Sequence, residues 1–174
     1  MEVSRILHQM QKPVVAQLDG AAAGAGLSMA LACDLRVASA SVKITTAFAK
    51  VGYSGDYGGT FFLTQMLGSA KARELYLLSP VLSAQEAHAL GMVTRVVPDA
   101  EVETAARDLA MSLAQGPTVT LGYIKKNINN AESLSLEACF DGEALHHSRC
   151  SDTADHKEAA ADFVAKRTPV FKGH

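Results

Sequence analysis

Between the apolar run PVVAQLD and the helix-like run MALACD stand nine residues with almost no side-chain bulk, GAAAGAGLS, Gly20 to Ser28. Glycine costs backbone entropy, so a cluster of it marks a turn with special dihedrals or a place where something approaches the main chain closely. The preceding VVAQL, residues 14–18, is short and β-branched at its start and reads as a buried strand. A short helix over 26–32 follows. A strand that turns through glycine directly into a helix restricts the first half of the chain to a layered α/β design.

Four readings of that turn compete. A dinucleotide fingerprint, GxGxxG from Gly24, requires glycine at Met29, and no acidic residue stands at a second strand end about twenty residues on. A nucleophile elbow, GxSxG, fails twice: Ser28 is followed by Met29-Ala30, and Gly52-Tyr53-Ser54-Gly55 ends in Asp56. The third reading is a tight turn that only lets a helix pack onto a strand. In the fourth, the first amides of the helix point outward at the positive end of its dipole and hold an oxygen that gains negative charge during a reaction. Only backbone is needed for that, so Ala25 serves as well as glycine.

Beyond the turn, Ile6, Leu7 and Met10 give residues 2–11 a helical spacing that Pro13 stops. DLRVA (34–38) and VKITT (42–46) read as strands separated by Ser39-Ala40-Ser41. Phe61, Phe62, Met66 and Leu67 predict one helix; Ala72, Leu75, Tyr76 and Leu78 predict another, ended before Pro80. Ser83 with Glu86 three residues later forms a capping box, and Gly91 closes that helix. MVTRVV (92–97) is a strand, and Val102 to Leu113 keep one apolar helical face. Pro117, Ser133 and Asp152 are expected to open three more helices. The expected division is an α/β core over 1–115 and a helical region over 116–174.

A net charge of −2 gives no field for nucleic acid or an anionic membrane, and no run of about 18 apolar residues or signal-like start appears. Cys33, Cys139 and Cys150 are odd in number and widely spaced, as for reduced thiols in a cytoplasmic setting. His146, His147, Cys150 and His156 match no metal-ligand spacing, so solvent-facing histidines are expected and no metal. Asp19 and Asp34 stand where turn and cap roles suffice.

Four segments, in order, resemble one family: KPVVAQLDGAAAGAGLSMALACDLRVAS, AFAKVGYSGDYGGTFFLTQMLG, LSAQEAHALGMVTRVVP and the tail ADFVAKRTPVFKGH. They are similar to the crotonase (enoyl-CoA hydratase/isomerase) superfamily over nearly the whole chain. The resemblance implies the C-terminal part of a crotonase-like ββα spiral followed by a helical trimerisation region. It also implies that the family's N-terminal third lies outside this sequence.

Members bind acyl-CoA thioesters, as in fatty-acid metabolism, and stabilise an enolate-like intermediate through two backbone amides on the thioester oxygen. Ala25 matches one donor, beside Gly24; the other falls in the missing segment. Hydratases of the family use two glutamates, and Ser28 and Phe48 stand at those positions here. The Ser28 hydroxyl is then expected to satisfy a backbone donor at the helix start, although ordering a water or bonding the acyl group is the functional alternative.

Asp56 lies where isomerase-type members, including the ring-opening isomerases of phenylacetate breakdown, place their acid/base carboxylate. Phe48, Phe61 and nearby apolar residues are expected to keep water from it. The plain alternative is an Asx turn among glycines. In the tail, Phe163 matches a residue that packs near the adenine of CoA, and Lys166 one that meets its phosphates. The implied partners are an acyl-CoA substrate and further copies of the chain, as a homotrimer or hexamer, with no cofactor apart from the substrate's own CoA. Proton shuttling by Asp56 is the expected chemistry. The alternatives are hydration of an enoyl-CoA and an inert, shortened member that keeps only the assembly surface.

Overall fold

The computed structural model describes residues 1–174, which divide into a unit of residues 1–8 with 14–108 and a unit of residues 9–13 with 109–174. The first opens on helix α1 (Glu2–Gln9) and then alternates between two small sheets. Strand β1 (Val15–Leu18) lies in the first sheet and β2 (Ala22–Ala23) in the second, and helix α2 (Ala25–Leu31) follows. The pattern repeats with β3 (Leu35–Ser39) in the first sheet, β4 (Lys43–Thr45) in the second, and helix α3 (Gly59–Leu78). β5 (Leu82–Ser83), α4 (Ala84–Ala89) and β6 (Arg95–Val97) complete both sheets.

The first sheet has the order β1-β3-β6 and is parallel throughout, with Val15 opposite Leu35 and Val37 opposite Arg95. The second has the order β2-β4-β5, parallel between β2 and β4 and antiparallel between β4 and β5. β3 is the central strand of its sheet, and Arg36 through Ser39 are all buried, as expected of a parallel strand covered on both faces. Val37, Ala38, Ile44, Leu63, Ala84 and Ala87 are wholly inaccessible and form the centre of this unit.

The two-residue strands β2 and β5 went unread in the sequence because alternation cannot register over so short a span. β6 is shorter than the expected 92–97. The Met92 amide is spent on closing α4, donating to the Ala87 carbonyl at 2.9 Å, so the strand starts only at Arg95. The two helices expected around Gly68 are the halves of α3, broken where Gly68 takes φ 75°, ψ 162°. The capping box is present: Ser83 Oγ accepts from the Glu86 amide at 3.2 Å, and the Glu86 carboxylate accepts from the Ser83 amide at 2.7 Å.

Helix α5 (Val102–Ala114) runs from the first unit into the second, which is otherwise built from α6 (Thr118–Ala131), α7 (Leu136–Ser151) and α8 (Ala154–Val164). Pro117 precedes α6 as expected, but α7 is capped by Ser135 rather than opened at Ser133, and α8 by Thr153 rather than Asp152. In each case the hydroxyl accepts the amide three residues on, the geometry that selects a cap among neighbouring candidates. The tail returns to its own helix: the Asp155 carboxylate accepts from the Lys172 and Gly173 amides at 2.6 and 2.9 Å. Arg167 Nε donates to Asp162 Oδ1 at 2.9 Å.

A candidate active site at the start of helix α2

Gly24 is the hinge of the small-residue turn, with φ 52° and ψ −123°. That positive φ, not lack of space, selects glycine, since an added Cβ would meet only ordinary contacts of 3.7 Å to Phe48 and Thr46. Its amide donates to the Thr45 carbonyl at 3.2 Å, which ties the turn to β4. Its carbonyl accepts from the Ser28 amide at 3.0 Å and from Ser28 Oγ at 3.2 Å.

The next three amides, of Ala25, Gly26 and Leu27, have no acceptor within the protein, as the geometry of a first helical turn dictates. Ala25 is half-buried and Gly26 exposed, so the turn is not sealed. The other end of α2 lies against a side-chain donor. The buried Arg36 guanidinium donates to the carbonyls of Cys33 and Met92 at 2.6 Å each and to those of Ala30 and Asp34 at 3.2 and 3.3 Å. A cation thus sits at the negative end of the helix, while donors at the positive end stay free.

Ser28 is 1% exposed and sits within α2 rather than at its start. The expected role, a hydroxyl satisfying a backbone donor, is therefore corrected: Ser28 Oγ donates to a carbonyl instead. Gly24 is the N-cap, and no side chain caps the helix. Phe48 is buried in a short 3-10 turn (Phe48–Val51), next to Gly24.

Asp56 lies in a loop whose neighbours are forced left-handed, with φ 125° at Gly55, 47° at Tyr57 and 76° at Gly58. Its backbone carbonyl accepts from the Gly59 amide at 3.1 Å, but its side chain caps no local amide, contrary to an Asx turn. Oδ1 is buried and has no hydrogen-bond partner. A buried carboxylate oxygen left unsatisfied costs on the order of 1–3 kcal/mol, so it is a position where a ligand's donor is worth more than elsewhere.

One neighbour of these groups was read only as an apolar helix position. Tyr76, in the second half of α3, stacks its ring on Phe48 with centroids 6.0 Å apart and planes 5° from parallel. Its hydroxyl and that of Ser28 converge on Gly59, where an added Cβ would stand 2.4 Å from Tyr76 Oη and 2.3 Å from Ser28 Oγ. Burial pushes the phenol above its ordinary value; the Ser28 hydroxyl pulls it down, and the Asp56 charge pushes it up. In the sequence, Tyr76 follows the Ala72–Leu75 spacing of a core-facing helix, and nothing distinguishes its hydroxyl from a surface one.

The first unit thus gathers Gly24, Ala25, Ser28, Phe48 and Asp56 around α2, Tyr76 and the start of α3. Phe61 instead packs its ring on His8 and Phe62 and is 44% exposed. Phe163 and Lys166 belong to the second unit, at the end of α8, with Phe163 84% exposed. The expectation of solvent-facing histidines fails for His146, which is buried, bonded through Nδ1 to Asn127 Oδ1 and stacked on Tyr123 at 4.7 Å. His147 and His156 are exposed.

Residues 2–174 match the family described as enoyl-CoA hydratase/isomerase. The chain is 41% identical over 169 residues to a 1,2-epoxyphenylacetyl-CoA isomerase of Escherichia coli, an overlap of 97% of this chain and 64% of that one. It is 36% identical over 161 residues to a probable enoyl-CoA hydratase of Rhodobacter capsulatus, covering 92% and 63% respectively. The chain therefore spans slightly less than two thirds of these relatives' length.

The fold superposes with a TM-score of 0.94 on a putative enoyl-CoA hydratase/isomerase from Mycobacterium abscessus, at 32% identity and covering 98% of this chain and 66% of that one. For an enoyl-CoA hydratase from a Polaromonas species the TM-score is 0.92, at 36% identity and 97% and 66% coverage. The mixed α/β architecture with a helical C-terminal part is the crotonase-type fold of these structures.

Proposed function

The chain belongs to the enoyl-CoA hydratase/isomerase family, and from that premise we propose that it moves a double bond within an acyl-CoA thioester, with Ala25 as oxyanion donor and Asp56 as acid/base. The thioester oxygen would receive a hydrogen bond from the Ala25 amide, which polarises the carbonyl and acidifies the adjacent carbon. Asp56 takes a proton from one carbon, and the electron pair moves onto the thioester oxygen as an enolate. The same carboxyl returns the proton to a different carbon and the enolate collapses, so atoms and charge balance without a further reactant.

The observation that carries this reading is the unpartnered, buried Oδ1 of Asp56. The open amides at the start of α2 support it, and so does the name of the E. coli relative, an isomerase of a CoA ester. Ser28 and Phe48 offer no carboxylate, which leaves Asp56 as the carboxylate in the group. Phe163 and Lys166 are proposed to meet the adenine and phosphates of the CoA portion, and no separate cofactor enters the scheme.

Asp56→Asn is expected to lower isomerisation at least about 100-fold while leaving CoA-ester affinity nearly intact. Double-bond position by NMR and affinity by calorimetry read the two quantities. An Asp56→Asn variant as active as wild type would remove Asp56 from the mechanism. Water addition is the second reading, favoured by the name of the Rhodobacter relative. Mass spectrometry of the product separates it, because hydration yields a product heavier by one water and isomerisation leaves the mass unchanged.

A further inference from the structure

Tyr76 is the common neighbour of the groups just described, yet no step of the proposed chemistry uses it. Its ring covers Phe48, which in turn borders Gly24. Its edge lies against the Asp56 loop, since a Cβ on Gly55 would stand 3.3 Å from Tyr76 Cε1. Its hydroxyl shares the space over Gly59 with the Ser28 hydroxyl. Ser28 Oγ donates onward to the carbonyl of Gly24, which shares one peptide group with the Ala25 amide. Gly59 also donates its own amide to the Asp56 carbonyl. Contacts therefore lead from one phenol to the donor turn on one side and to the carboxylate loop on the other. Tyr76 also lines a pocket of about 340 Å³ with Thr60, Thr64, Ser69 and Arg73.

We propose that Tyr76 is a positioning residue, whose hydroxyl against Ser28 over Gly59 holds the Gly24–Ala25 donor turn in register with the Asp56 loop. The physical requirement is strict. The loop from Gly55 to Gly58 takes positive φ at three of its residues, and Gly24, the hinge between β2 and α2, does the same, while no backbone hydrogen bond joins the two turns to each other. A shift of about 1 Å between donor and base costs on the order of 100-fold in rate. A rigid aromatic ring with one polar tip supplies packing and a directional contact from the same side chain. Burial raises the phenol further above its ordinary value, so the tip is a neutral hydroxyl.

The proposal rests on the reading of Ala25 and Asp56 as the working pair, so its test has one arm that needs no substrate. Backbone amide NMR on this chain compares wild type, Tyr76→Phe and Tyr76→Leu. Tyr76→Phe keeps the ring on Phe48 and removes only the hydroxyl. It is expected to shift the Ala25, Gly26 and Gly59 amides while those of β3 and β6 stay in place. In the kinetic arm, kcat is expected to fall about tenfold in Tyr76→Phe with KM within about twofold, the split of a residue that aligns rather than binds.

Unmoved Ala25 and Gly26 amides in Tyr76→Phe would overturn the proposal. So would an effect confined to Tyr76→Leu, which would reduce Tyr76 to ring packing. Should Asp56→Asn retain full activity, the proton-shuttle reading falls, and the amide shifts alone then decide whether Tyr76 holds the turn.

Discussion

At the scale of single residues, Arg36 and His146 show how the same physics gives opposite answers. Arg36 enters the interior as a cation and is accepted because four carbonyls around the end of α2 and the start of the β6 segment receive its protons. Burial pulls its guanidinium below the ordinary value, yet nothing in the working range deprotonates an arginine. His146 is buried with one neutral partner, Asn127, and burial holds its imidazole below the usual histidine range, with the Lys126 charge acting the same way. An unfolded chain protonates this residue near pH 6.5 and the folded one resists. The stability it contributes is complete above that value and is lost as pH falls below it, toward the folded pKa. Melting temperatures taken between about pH 7 and 5 should therefore decline, and His146→Phe, which keeps the ring on Tyr123, should flatten that part of the slope. An unchanged slope in His146→Phe would exclude it as the titrating group.

At the scale of elements, glycine marks where two backbones meet as well as where the chain bends. Gly122, inside α6, has helical dihedrals, and an added Cβ there would stand 2.5 Å from the carbonyl oxygen of Gln11. Backbone cannot rotate out of the way as a side chain can. Gly122→Ala should destabilise the fold by about 1–3 kcal/mol, although alanine is the better helix former, and urea unfolding would measure it. A neutral or stabilising result would mean that residues 9–13 do not lie against α6 as described. Lys125, three residues further along α6, donates Nζ to the Lys12 carbonyl at 3.2 Å and holds the same segment. The elements themselves were mostly legible from residues 1 to 174. Helices showed in the spacing of apolar residues, the start of α6 in Pro117, and the α4 cap in Ser83 and Glu86. Caps with several adjacent candidates, as at Ser133 and Ser135, were not, because a cap is chosen by which hydroxyl reaches the third amide.

At the scale of the whole molecule, large apolar side chains stand in solvent: Leu77 and Leu78 at 73% and 71% exposure, Phe163 and Val164 at 84% and 83%. Exposed apolar patches of this kind mark surfaces that meet another body. The family resemblance implies further copies of the chain, and we propose a homotrimer as the assembly. Light scattering should then give three times the mass of the 18.3 kDa chain. A monomer that stays monodisperse at high concentration would rule the trimer out for this chain. No helix is long and apolar enough to cross a membrane, and Cys33, Cys139 and Cys150 form no disulfide.

The sequence alone determined the family, the order of the longer strands and helices, and the identity of the small-residue turn, because these follow from spacing, glycine placement and runs of matching residues along the chain. Only the tertiary structure decided what surrounds that turn. That Ser28 donates rather than caps, that Asp56 Oδ1 is left without a partner, and that Tyr76 reaches both are facts about residues up to 48 positions apart in the chain. The direction in which a hydroxyl points and the partner it meets depend on how α2 and α3 cross at Gly59. Local propensity carries no information about that crossing.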